Sequence, residues 1–237
     1  MQDKPMDLGS HLDEARKRLL VAFFSFAVLS CASFYFVQDL LLILKIPAGS
    51  ALGMLSVFSP TAAILSFIKI GLAGGLILSI PIVLYQIWMF ARPAMEDRVA
   101  RLGLWFVLFG TLLFISGGIF SYFFILPASL KFLLSVGRGE LQFLISLDSY
   151  VSFVLFLLLG GGIIFQMPLV VLVLSKIGVI TAGQMIRGWR IAIVVILILA
   201  AFITPTPDLV NMALMALPMI ALYIISIGIA KFAGKKK

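Results

Sequence analysis

Six stretches of this chain stay apolar for longer than a soluble core of this size could absorb. They lie at about 19–37, 62–90, 102–126, 151–174, 191–203 and 209–229. A helix crossing the hydrocarbon core needs about 20 predominantly apolar residues. With no water at that depth, every backbone group must be bonded inside the segment or around a closed barrel. The runs are continuous rather than alternating, which excludes a barrel. Composition agrees, with 62% hydrophobic and 12% charged residues, against about 45–50% and 25% in soluble domains. Mean hydropathy is +1.20. The expected fold class is an all-α polytopic membrane protein, a single membrane domain of six transmembrane helices.

Basic residues set the expected orientation. Lys4, Arg16, Lys17, Arg18, Arg92, Arg98, Arg101, Lys176, Arg187, Arg190, Lys231, Lys235, Lys236 and Lys237 fall on one side of this span pattern. Lys45, Lys69, Lys131 and Arg138 fall on the other. Positive charge marks the cytoplasmic side, so the topology reads N-in and C-in. The net charge of +8 is therefore a topology signal, not a nucleic-acid footprint. The first eighteen residues are polar and lack the early apolar core of a cleaved signal peptide. The first span is expected to act as its own insertion signal.

The outer loops are long. Residues 38–61 contain Pro47, Gly49 and Pro60, which predicts a periplasmic cap built from turns. Within 127–150, the run from Ser129 to Val136 has the spacing of an amphipathic helix lying on the membrane surface. Residues 204–208, ending at Asp208, form a tight outer turn. Pro81, Pro168 and Pro218 are expected to kink their helices, giving a curved, concave bundle. Gly71 and Gly75, and Gly160 to Gly162, permit close helix approach. Span five, at thirteen residues, makes only about 20 Å of helix against about 30 Å of hydrocarbon. Either it thins the bilayer beside it or neighbouring helices cover it.

Several chemistries are missing. The sequence has no GxxxxGK[ST] and no GxGxxG, so no nucleotide-binding loop. One histidine, His11, and one cysteine, Cys31, make no transition-metal site, and Cys31 reads as a buried, inert thiol. Phe114 stands where the first glycine of a rhomboid-type serine-protease motif would be, before Ser116 and Gly117. The chain is not expected to be an enzyme, and neither cofactor nor metal is implied. All ten acidic residues sit at or beyond span ends, whereas an ion-coupled transporter ordinarily needs an ionisable group near mid-membrane. Lys69, two turns inside span two, is expected to snorkel outward. Gln166 is the deepest strongly polar side chain. Its amide needs a partner, which is either a neighbouring span or the helix of a docking protein. A six-span secondary transporter of a small molecule is the alternative function, and a structural scaffold a further one.

Six motifs in order resemble the TatC family, the multispan subunits of the twin-arginine protein translocase. His11-Leu12-Asp13-Glu14-Ala15-Arg16-Lys17-Arg18-Leu19 is similar to HLxELRxRL. The outer loop is similar through Pro47-Ala48-Gly49-Ser50 and Ser59-Pro60-Thr61. The stretch from Pro81 to Ala94 resembles PxxLYQxWxFxxPA. Phe120-Ser121-Tyr122 with Leu126-Pro127 resembles FxYxxxLP, Phe165-Gln166-Met167-Pro168 resembles F[EQ]xP, and Thr204-Pro205 to Asp208 resembles the last outer turn. The chain departs from the family at Ala15, at Ala62 and Gln166 where glutamate is common, and at Val99 where the loop acid normally falls.

The resemblance implies a receptor in the inner (plasma) membrane for the twin-arginine signal peptides of folded cargo. Single-span TatA- and TatB-like partners would work with it, and the proton-motive force would drive transport. It places the signal site on Glu14, Phe90 and Pro93 at the cytoplasmic face. Glu96, one helical turn before Val99, is the expected second acid. Arg16 joins this segment, with Arg16 and Arg18 holding it at the lipid headgroups. Gln166 is the expected docking point for a partner helix, and Pro47 and Asp208 belong to the periplasmic cap. Homo-oligomerisation is left open.

Overall fold

The computed structural model describes residues 8–52, 55–94, 102–135, 144–204 and 209–233. Glu96, Val99 and Asp208, all named above, lie outside the described residues. The described residues are almost wholly helical. Helix α1 spans Leu8–Tyr35 and α2 Val37–Lys45, followed by a 3-10 segment, Ile46–Leu52. Helix α3 spans Pro60–Ala91, and α4 spans Gly103–Phe120. A π turn, Ser121–Ile125, leads from α4 directly into α5, Leu126–Ser135. The remaining helices are α6 (Leu147–Ile164), α7 (Met167–Lys176), α8 (Ala182–Arg187), α9 (Trp189–Ile203) and α10 (Leu209–Ala233). Five helical stretches are long and apolar enough to cross a membrane, and α9 is a shorter apolar sixth.

The helices stand in a row of neighbours. α1 packs chiefly on α3, α3 on α4 and α6, α7 on α10, and α10 on α9. Small residues explain the closest contact. On α3, Gly71 faces the Phe34 ring, Gly74 faces Ser33, and Gly75 lies against the backbone of Ser30. The GxxxG pair is therefore spent on packing α1 against α3 within this chain. Because α1 is covered on that side, Cys31 on its outward face is exposed, not buried as the sequence suggested. Gly117 and Gly161 make the equivalent approach between α4 and α6.

Local chemistry sets the element ends. Ser59 caps α3 by accepting from the Ala62 N–H at 3.2 Å, with Pro60 at the first turn where its missing donor does no harm. Thr181 and Gln184 form a capping box at α8. Gly178, at φ +84, ends α7 in the left-handed conformation, and the Val179 N–H bonds back to Leu174 O at 2.9 Å. Span four breaks at Phe165 and Gln166, just ahead of Pro168.

The surface-lying helix expected at Ser129–Val136 is corrected. α5 continues span three, with Leu126, Ser129 and Leu130 buried. The π turn makes this continuation feasible, because a proline at 127 would clash with the carbonyl four residues earlier in a regular helix. Span five is short as expected, though its helix begins two residues earlier, at Trp189, and runs about 22 Å over fifteen residues. Of the two readings of it, the covered one fails. Only Ile196 and Ala200 are buried, while Ile191 is 72% and Phe202 78% exposed.

One end of the molecule carries a cap, as the sequence anticipated. Tyr122 and Tyr150 donate their hydroxyls to Ile43 O and Leu44 O, both at 2.6 Å. Ser56 and Ser146 pair as an isolated parallel bridge, through Ser56 N–H to Ile145 O and Leu147 N–H to Ser56 O, each 3.0 Å. Pro47 sits in the 3-10 segment beside buried Ala48, and Gly49 turns the chain at φ +50. The main core cluster runs from this cap along α6 and α10. A separate small cluster of Leu84, Trp88, Phe106 and Leu169 joins α3, α4 and α7 at the other end.

Candidate signal-binding site and intramembrane polar groups

At the uncapped end, Glu14 on α1 is held by its own helix. Its Oε1 accepts from Arg18 Nε at 3.0 Å and from Arg18 Nη2 at 2.7 Å. The four-residue spacing puts the two side chains one turn apart on one face. Arg18 then reaches α3, where Nη1 donates to Gln86 Oε1 at 3.3 Å. Gln86 is one helical turn before Phe90, on the same face of α3. Phe90 is half-buried, and the chain then bends through a 3-10 turn in which Pro93 is exposed. The structure thus brings Glu14, Gln86 and the end of α3 to one place. Arg16, two residues from Glu14, points elsewhere and is exposed. Glu96 cannot be placed among these groups, since it lies outside the described residues.

Arg18 was expected at the lipid headgroups. Instead it is an interhelix tether and the partner of the acid. The Glu14–Arg18 spacing was visible in the sequence; Gln86 carried no signal, because its value depends on α1 crossing α3 at that level.

Gln166 occupies the break between α6 and α7. Its Nε2 donates to Gly110 O on α4 at 2.9 Å, while its Oε1 is buried without a hydrogen-bond partner. One half of the amide is satisfied within the chain and the other half is not.

Lys69 is corrected too. Rather than snorkelling, its Nζ lies 2.6 Å from Asp148 Oδ1 and 2.8 Å from Ser152 Oγ. Asp148 stands in the first turn of α6, where a helix N-terminus favours an acid. Ser66 Oγ adds a 3.4 Å contact to the same Oδ1. This cluster ties α3 to α6 near the cap, where the sequence showed only two separate end-of-span charges. Among the described residues, no group of three His, Cys, Asp or Glu could hold a metal ion.

Comparison with known proteins meets this geometry. Residues 10–218 match the family model described as Sec-independent protein translocase protein (TatC). The chain is 40% identical to the Sec-independent protein translocase protein TatC of Aquifex aeolicus (strain VF5), covering 98% of each chain. It is 37% identical to the TatC of Helicobacter pylori (strain J99 / ATCC 700824), over 96% of this chain and 90% of that one. A solved structure described as the twin arginine translocase receptor TatC superposes with a TM-score of 0.81, at 40% identity, over 94% of this chain and 99% of that one. These matches leave the transporter alternative without support and identify a translocase component, not an enzyme. The chain belongs to the TatC family of Sec-independent protein translocase proteins.

Proposed function

We propose that this chain is the signal-peptide receptor of a twin-arginine translocase in the inner membrane, with both termini cytoplasmic. The observation that carries the reading is Glu14. It is a carboxylate at the basic end of the wall, tethered through Arg18 and Gln86 to the helix that ends in Phe90 and Pro93. A guanidinium pair needs carboxylates that accept bidentate, charge-assisted bonds. Arg18 already donates twice to Oε1, so an arginine of the signal competes with it there or bonds to Oε2. Glu96 supplies the second acid. Gln166, half-buried at the break between α6 and α7, is the docking point for the single transmembrane helix of a TatA- or TatB-like partner.

Binding of a labelled twin-arginine peptide to the purified protein tests this. Loss on Glu14→Ala, abolished as a difference when the peptide's arginines are replaced, is the expected result. Equal binding by Glu14→Ala and the parent overturns it. If Glu14→Ala weakens binding and Glu96→Ala does not, the second acid is elsewhere, and Val99→Glu is expected to tighten binding. Orientation is tested separately. Cysteines placed at Ser50 and Ser135 are expected to label from outside intact cells, and one at Ser10 is not. The opposite pattern reverses the topology.

A further inference from the structure

Beside the small core cluster at the basic end lies an open apolar groove with a volume of about 330 Å³. Two antiparallel stripes wall it. Leu102, Phe109 and Leu113 come from the start and outer face of α4; Pro168, Leu172 and Lys176 come from α7. Trp88 of α3, only 3% exposed, lines it as well.

Its dimensions select an occupant. Eleven residues separate Leu102 from Leu113, about 16 Å of helix, which is half of a hydrocarbon core about 30 Å thick. The groove is one leaflet deep. Apart from Lys176 its lining is apolar throughout, which suits a hydrocarbon chain running along it. Lys176 stands at the mouth, at the end where the basic residues collect. Neither of the two ion pairs among the described residues uses it. We propose that this groove holds one acyl chain of an anionic phospholipid from the leaflet at the basic end, with the headgroup phosphate on Lys176 Nζ. A basic side chain at the headgroup level favours an anionic over a zwitterionic lipid by about fivefold. The bound chain fills the space between α4 and α7 that the protein's own side chains leave open.

The protein contains three tryptophans, so Trp105→Phe with Trp189→Phe leaves Trp88 as the sole emitter. The full chain is reconstituted into phosphatidylcholine vesicles carrying a minor fraction of phosphatidylglycerol with brominated acyl chains, which quench tryptophan on contact. Trp88 is expected to be quenched, with brominated phosphatidylglycerol about fivefold more effective than brominated phosphatidylcholine at equal mole fraction. Lys176→Gln is expected to erase that preference while leaving residual quenching. Leu172→Phe, which fills the groove, is expected to remove the quenching; Val173→Phe replaces it if that variant folds poorly. An unquenched Trp88 overturns the proposal, as does a preference that survives Lys176→Gln. Quenching that a twin-arginine signal peptide relieves, with Lys176→Gln behaving as the parent, assigns the groove to the peptide and also overturns it.

Discussion

The two ends of this molecule are built on different principles. At the capped end, tyrosine hydroxyls bond to backbone carbonyls, loops distant in sequence pair through Ser56 and Ser146, and Lys69 meets Asp148 and Ser152. At the basic end, the cluster joining α3, α4 and α7 has four buried residues, and Glu14 is held by an arginine of its own helix. The difference teaches that α3 is fixed in two ways: an ion pair clamps it to α6 at Lys69 near the cap, and a neutral amide, Gln86, ties it to α1 near its other end.

Substitutions can break this comparison in both directions. The largest expected effect is at the capped end. Lys69→Met leaves Asp148 without its cation, and breaking such a pair typically costs about 3–5 kcal/mol. Because the pair's side chains are 40% and 34% exposed, solvent screening reduces this to about 2 kcal/mol. It is read as a lower midpoint of thermal unfolding in detergent, with Lys69→Met combined with Asp148→Asn recovering most of the loss. Affinity for signal peptide is expected to stay unchanged below the transition. Next comes Glu14→Ala, which removes charge-assisted bonds worth about 2 kcal/mol. Peptide titration is expected to show binding weakened about thirtyfold, with the unfolding midpoint unmoved. A fall in stability as large as the Lys69→Met loss would erase the distinction between the two ends.

Smaller effects sharpen it. Gln166→Leu removes a hydrogen bond to Gly110 O, worth about 1 kcal/mol between membrane helices. It is expected to reduce copurification of single-span partners more than it reduces stability. Unchanged partner recovery leaves Gln166 as an internal contact alone. Arg18→Gln is expected to act least and in the opposite sense. It frees Glu14 from an i,i+4 pair worth about 0.3–0.5 kcal/mol, so signal peptide should bind about twofold tighter. Weaker binding would make Arg18 part of the site rather than an occupant of it.

What the sequence made legible follows the physics of each feature. Spans were readable because hydrocarbon enforces long apolar helices, and the cap because Pro47, Gly49 and Pro60 cannot continue one. Family motifs placed Glu14, Phe90 and Pro93 at one end of the molecule, and the structure brings the first of them to α3. Contacts between distant segments were not readable. Lys69 and Asp148 looked like two unrelated span-end charges because neither carries a mark of the other. Cys31 looked buried because an apolar run does not say which of its faces meets protein. The Ser129–Val136 stripe was read as facing a membrane surface, whereas Ser129 and Leu130 meet the protein, since periodicity gives a face but not its partner. The bare flank of α9 was undecided for the same reason.

The Lys69–Asp148 pair also sets a timetable. Asp148 is 79 residues downstream, and at about 5–20 residues per second a ribosome needs roughly 4–16 s to reach it. Through that interval the first helical hairpin is in the bilayer with an ammonium group that has no counterion. The insertion machinery must therefore hold the young hairpin near water, or let its lysine remain at the surface, until the fourth span arrives. Maturation of this protein is ordered by charge neutralisation, with the clamp closing only after nearly two thirds of the chain has been made.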